Sequence, residues 1–259
     1  MRIALGIEYD GAPFCGWQRQ SGVATVQASL EQALSKVADH PVAVTCAGRT
    51  DTGVHGLGQV VHFDTQAERS SRSWVFGANA NLPKSVGVTW AQTVAEAFHA
   101  RFSAQRRRYR YVIHNRPVRP TFLQWRVAWE YRPLDVERMR EAAAHLVGEH
   151  DFSSYRALAC QAKSPVRTVY RLDVTRDRDL VFIDIEANAF LHHMVRNVAG
   201  VLMTIGAGEQ APDWAGEVLE HRDRTLGGVT APAHGLYLME VEYPPEFQIP
   251  RLPPTSAVW

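Results

Sequence analysis

Between Cys46 and Gly56 the chain reads Cys-Ala-Gly-Arg-Thr-Asp-Thr-Gly-Val-His-Gly, which places one carboxylate (Asp51), one guanidinium (Arg49) and one imidazole (His55) among three glycines. Glycines admit positive φ and let other groups approach the backbone closely, so such a loop can hold a carboxylate in a fixed and accessible place. An ionised carboxylate held that way can act as a base or as a nucleophile. The same residues also suit a tight connection in which Asp51 only accepts from neighbouring backbone N–H groups. A phosphate-binding loop is not an option, because the G-x-x-x-x-G-K-[ST] order and a strong following helix are both missing.

Three other stretches carry chemistry. On the apolar segment Ala189–Ile205, Phe190, Leu191, Met194, Val195, Val198, Val201, Leu202 and Ile205 fall on one stripe at helical spacing. Arg196 lies nearly opposite, beside His192, Ala199, Gly200 and Met203, a face too poor in charge for open solvent. It is expected to be covered, and a covered guanidinium calls for a carboxylate partner; Asp51 is the candidate. In Arg106-Arg107-Arg108-Tyr109-Arg110-Tyr111 a strand puts both tyrosines on one face and Arg108 and Arg110 on the other. That is a base-stacking surface beside a phosphate-binding one, or equally an edge strand with inward tyrosines. Phe98-His99-Ala100-Arg101-Phe102 repeats the aromatic and basic interleaving. The eleven histidines include no H-E-x-x-H or comparable ligand set, so no metal is expected.

These stretches need elements to position them. Arg2–Tyr9 alternates as a strand, Asp10–Gly22 is a glycine-rich loop, and Thr25 can cap a helix carrying Val26, Leu30, Ala33, Leu34 and Val37. Val42–Cys46 and Gly58–Asp64 read as strands around the Asp51 loop, Ser73–Ala80 as a short helix and Val86–Val94 as a strand. The order then repeats: strand Ser103–Asn115, helix Asp135–Val147, hairpin strands Arg167–Thr175 and Leu180–Ala187, helices Ala189–Ile205 and Pro212–Glu220, strand Gly235–Glu242. Two βαββαβ runs predict an α+β protein of two tandem ferredoxin-like halves with antiparallel sheets side by side and a central cleft. The expected divisions are 1–102, with the Asp51 loop, then 103–243, then a proline-rich irregular tail, 244–259.

Composition narrows the function. A 46% hydrophobic and 21% charged chain is ordinary for a globular protein with a core. The apolar start at Ile3–Ile7 is broken by Glu8 and Asp10, and no apolar run is long enough to span a bilayer. Cys15, Cys46 and Cys160 are scattered and make neither a disulfide framework nor a thiolate zinc site, so a reducing cytoplasm is expected. Net charge is only +1, but Arg101–Arg119 holds seven arginines and no acid, and the chain has 25 arginines to three lysines. Arginine's planar fork suits phosphates and stacks on bases, and a localised basic patch on a near-neutral chain is a nucleic-acid footprint.

Gly48-Arg49-Thr50-Asp51-Thr52-Gly53-Val54-His55 closely resembles the active-site motif of the TruA family of tRNA pseudouridine synthases, usually G-R-T-D-A-G-V-H, with Thr52 the departure. The likeness extends to Glu8-Tyr9-Asp10-Gly11, Gly16-Trp17-Gln18-Arg19-Gln20, Phe98–Phe102, Tyr109-Arg110-Tyr111, His150-Asp151-Phe152 and His192-His193-Met194-Val195-Arg196-Asn197. The resemblance implies a homodimer, free of cofactor and metal, that isomerises uridine to pseudouridine at positions 38, 39 and 40 of the tRNA anticodon stem-loop. It implies Asp51 as the catalytic carboxylate, Arg196 as its salt-bridge partner, Tyr109 against the target base, and Arg49 in base flipping. It also implies tRNA contacts from Phe98, His99, Arg101 and Phe102 and from Ala159–Lys163, including Gln161 and Lys163. The basic strand adds Arg107 and Arg108. Two other functions fit parts of the pattern: a non-catalytic RNA-binding module, and a metal-dependent RNA hydrolase using Asp51 with histidines.

Overall fold

The computed structural model of the protein describes residues 1–251. In chain order the elements are β1 (Arg2–Tyr9), α1 (Val26–Ala38), β2 (Thr45–Cys46), β3 (His55–Asp64), α2 (Ser71–Asn81), β4 (Val86–Val94), β5 (Arg106–Asn115), β6 (Ala128–Glu130) and α3 (Val136–Ala144). They continue as β7 (Gly148–Asp151), β8 (Val166–Asp177), β9 (Leu180–Ala187), α4 (Met194–Gly206), α5 (Trp214–His221) and β10 (Leu236–Glu242). Strands and helices are mixed in one α+β chain. Among the described residues no helix is long and apolar enough to cross a membrane.

The chain forms two compact units. The first is Met1–Gln105 together with Tyr237 onward, and the second is Arg106–Leu236. Sequence order placed the last strand with the second half, whereas residues 237–242 of β10 group with the first. In the first unit β1 lies between β3 and β4, antiparallel to both. The far edge of β3 is shared: β2 pairs at Val61 and His62, and β10 runs parallel at His55 and Gly56. Ile3, Leu5 and Ile7 alternate onto the core face with Val61 and Phe63, where Leu30 and Leu34 of α1 and Trp74 and Ala78 of α2 cover them. The periods of 2 and 3.6 in the sequence produce this pairing of a sheet face with helical stripes.

The local capping rule holds at the starts of three helices. Thr25 caps α1, its Oγ1 accepting from Ala28 N at 3.4 Å, and Asp135 caps α3 with bonds of 2.9 and 3.2 Å from Glu137 N and Arg138 N. The strand expected over Val42–Cys46 shrinks to two residues because α1 captures its backbone. Val42 N donates to Ser35 Oγ at 2.9 Å and Val44 N to the buried Glu31 carboxylate at 3.1 Å. The tail beyond β10 turns through Pro245–Phe247 and packs, with Phe247 5.2 Å from Phe98 and its carbonyl held by Gln92 Nε2 at 3.2 Å. Its last residues, 252–259, lie outside the described chain.

In the second unit β9 lies between β5 and β8, β7 extends the far side of β8, and β6 runs parallel to part of β5. Helix α4 begins at Met194 rather than at the expected Ala189. Asn188 Oδ1 accepts from Ala189 N at 2.8 Å and Thr168 N at 3.1 Å, holding that backbone to β8, and His193 sits at φ +63°. The preceding residues are therefore a loop, not a helical turn.

Candidate active site

Asp51 sits in the connection from β2 to β3, and several backbone groups beside it are fixed from outside the loop. Ala47 N donates to Val60 O at 2.8 Å, Trp17 N to Thr50 O at 3.0 Å, and Val54 N closes the turn on Asp51 O at 3.1 Å. The fully buried Gln59 amide brackets Gly48, donating to its carbonyl at 2.6 Å and accepting from its N–H at 3.3 Å. Tyr9 and Thr50 hydroxyls share a buried hydrogen bond of 2.8 Å. Asp51 is half-buried at this fixed turn, while Arg49 beside it is exposed.

The glycines make the closeness possible. Gly53 turns the chain at φ +79°. Gly16, at φ +83°, passes so near that a Cβ there would lie 3.0 Å from Thr50 O, 3.1 Å from Thr52 N and 3.2 Å from the Asp51 carbonyl carbon. A Cβ on Gly11 would meet Val54 O at 2.0 Å. The loop of residues 10–22 is therefore the outer wall of the Asp51 turn. Trp17, 1% exposed and 5.6 Å from the Tyr9 ring, fills the space behind it.

His55 belongs to this scaffold. Its Nδ1 accepts from Gly11 N at 3.0 Å and its ring stacks on Tyr237 at 4.6 Å. Burial pushes the Cys46 thiol up to about 11, against a smaller opposing pull from the positive charges of Arg49 and Arg101. A thiol so protonated is a poor nucleophile.

In the second unit Tyr109 is 8% exposed, and its ring meets Phe190 edge-on at 5.0 Å and 81°. Arg196, on α4, donates from Nε to Ala231 O at 2.9 Å, and Ala231 N returns a bond to Arg196 O at 3.1 Å. The small-residue face of α4 is covered, as expected: a Cβ on Gly200 would lie 1.7 Å from Val229 O. Asn197, adjacent in sequence, clamps the same segment by accepting from Thr230 Oγ1 at 2.7 Å and Arg224 at 3.1 Å while donating to Tyr155 O at 2.7 Å.

The tyrosines of the basic strand face inward, the second of its two readings. Tyr111 is fully buried and its hydroxyl donates to Pro232 O at 2.8 Å, so burial raises its phenol far above the usual value. It packs rather than stacks on a ligand. Arg110 forms a two-pronged pair with Asp184, 2.9 Å for each bond, and Arg106 pairs with Glu186 at 2.8 Å while lying over the Tyr170 ring. Those acids stand on β9, opposite in the sheet, where a reading of β5 alone could not place them. Arg107 donates to Asn188 O at 2.9 Å, and both it and Arg108 are half-buried.

These features coincide with a family match. The family model described as tRNA pseudouridine synthase matches residues 6–103 and 142–244. The chain belongs to that family. A protein of Nitrosococcus oceani named tRNA pseudouridine synthase A is 64% identical over the full length of both chains. Proteins of the same name from Pseudomonas aeruginosa (62% identity, 96% of this chain and 88% of that one) and Coxiella burnetii (57%, 97% of each) are similarly close.

As a tRNA pseudouridine synthase the chain is an isomerase acting on tRNA. Among the expected tRNA-contacting residues, Arg101 and Phe102 are exposed in the first unit, as are Gln161 and Lys163 in a loop of the second. Phe98 is not on the surface: it is 0% exposed, packed at 5.0 Å on Tyr243 and 5.2 Å on Phe247. Its side chain anchors the segment from inside the core. The sequence reading gave no role to Gln59, His62 or Arg224. The one available signal was polar residues set in the apolar run of β3; nothing local marks Arg224.

Proposed function

We propose that this synthase converts uridine to pseudouridine at positions 38, 39 and 40 of the tRNA anticodon stem-loop, as a homodimer in the cytoplasm and without metal or cofactor. The two βαββαβ runs are then tandem ferredoxin-like halves. Asp51 is the catalytic carboxylate in this reading. Uridine must break its N1–C1′ bond, turn, and rejoin through C5. Whether the carboxylate attacks the ribose, attacks the base or removes the C2′ proton, it must be ionised and held still. The observation that carries the reading is the rigid mounting of Asp51: its turn is tied to β3, to Trp17 and to Tyr9.

The other roles follow from chemistry. Arg196 pairs with Asp51, its guanidinium oriented by Ala231 O. Tyr109 covers the detached uracil. A base inside a stem-loop must first be extruded, and the exposed Arg49 enters the space it vacates. A binding module gains nothing from a carboxylate set among arginines, since it repels phosphate. Asp51→Asn is therefore expected to abolish pseudouridine formation in unmodified tRNA transcripts, mapped at single-nucleotide resolution, with tRNA affinity kept within about threefold. Wild-type turnover in that variant refutes the assignment. Loss of activity on exhaustive chelation, with strand scission beforehand, would support the hydrolase instead.

A further inference from the structure

The turn that follows β4 is built around two histidines whose ring nitrogens accept from backbone donors. Ala100 N donates to Nδ1 of the buried His62 at 3.1 Å. Arg101 N and Phe102 N both donate to Nδ1 of His99, each at 3.2 Å. A backbone N–H can only donate, so in this arrangement each Nδ1 accepts. The two rings are 4.7 Å apart, and Ser103 closes the turn by bonding His99 N at 3.0 Å and His99 O at 2.9 Å. Tyr243 Oη holds Ala100 O at 2.6 Å, and Arg2 holds Phe98 O at 2.9 Å.

This scaffolding supports a side chain that the fold does not use. Phe102 is 76% exposed, yet its ring is stacked on His99 at 4.3 Å and 28°. Exposed Arg101 places its guanidinium carbon 5.5 Å from the same ring centroid. A large aromatic left in water, backed by a fixed imidazole and flanked by a cation, has the composition of a site that stacks an unpaired base and meets its phosphate. We propose that His62 and His99 are positioning residues, a clasp of imidazoles that presents Phe102 as a stacking platform for one unstacked nucleotide of the tRNA substrate. The proposal rests on the tRNA reading above and assigns the geometry of one part of that contact.

The charges around the clasp agree with it. His62 faces Arg2, Asp64 and His99; Arg2 and Asp64 pair with each other at 2.8 Å, Arg2 also reaches Glu96 O, and Arg101 borders the outer side. Burial, then His99 and Arg2, depress His62 to about 4, which keeps it neutral at physiological pH.

The test measures affinity for an unmodified, fluorescently labelled tRNA transcript and, separately, kcat at saturating tRNA. Phe102→Leu removes the ring and His99→Leu removes both its acceptor and its stack. Each is expected to raise Kd and KM about tenfold, or roughly 1.4 kcal/mol, with kcat within twofold of wild type. The double variant should lose no more than either single one, because both act through one platform. His99→Asn keeps an acceptor near the Nδ1 position and should recover most of the affinity lost in His99→Leu. Phe102→Trp should bind at least as well as wild type. Additive losses in the double variant, no recovery by His99→Asn, or a Kd within twofold of wild type for either leucine variant overturns the clasp. A wild-type enzyme that forms no pseudouridine in tRNA overturns instead the function on which it rests.

Discussion

Replacing Gly16 with alanine tests whether the wall of residues 10–22 sets the position of Asp51. Gly16 lies at φ +83°, and an added Cβ would sit 3.0–3.2 Å from Thr50 O, Thr52 N and the Asp51 carbonyl carbon. Gly22 is its control: it has φ +80°, but nothing lies within 4 Å of an added Cβ. Both alanines incur the left-handed backbone cost, roughly 1–2 kcal/mol, partly offset by a stiffer unfolded chain. At about 2–4 °C per kcal/mol for a chain of this size, each should lower Tm by at most roughly 2–8 °C. Only Gly16→Ala must also displace the backbone of the Asp51 turn, by a few tenths of an ångström. A 1 Å misplacement can cost about a hundredfold in rate, so a loss of roughly five- to thirtyfold in kcat is expected for Gly16→Ala, and less than twofold for Gly22→Ala. Thermal melts and single-turnover pseudouridine formation on one tRNA transcript separate the two effects. Equal kcat in both variants, with the expected melts, would refute the claim that this wall positions Asp51.

Two further outcomes follow from the same geometry. His62 is depressed in the folded state from 6.5 to about 4, so the folded chain binds fewer protons than the unfolded chain between those values. Its contribution is present above pH 6.5 and is lost as pH falls toward 4, roughly 3 kcal/mol in all. Denaturant titrations should show that slope, and His62→Asn, which retains an acceptor without titrating, should flatten it. Gly200→Ala would drive a Cβ to 1.7 Å from Val229 O, costing about 1–3 kcal/mol by overpacking. By displacing Ala231, which holds Arg196 Nε, it should also lower kcat tenfold or more in a steady-state assay at saturating tRNA.

Much of this was legible in the chain itself. Alternation in Arg2–Tyr9 and Val86–Val94, the cap at Thr25 and the stripe on α4 are local properties, set by backbone periodicity and by side chains within a few residues of one another. The Asp51 loop was readable for a different reason, since carboxylate, guanidinium and glycines are all contiguous. Gly200 and Ala199 likewise announced that a surface packs on α4. Only the tertiary structure could decide which side chains are already engaged. Asp184 and Glu186 neutralise arginines on β5 from a strand more than seventy residues away. Phe98 turned inward because β10 and the residues after it supply Tyr243 and Phe247. Glu31 and Ser35 took the backbone of Val44 and Val42 out of the β-ladder. A charged or aromatic residue declares its chemistry in the sequence; whether that chemistry faces a ligand depends on partners that only folding brings within reach.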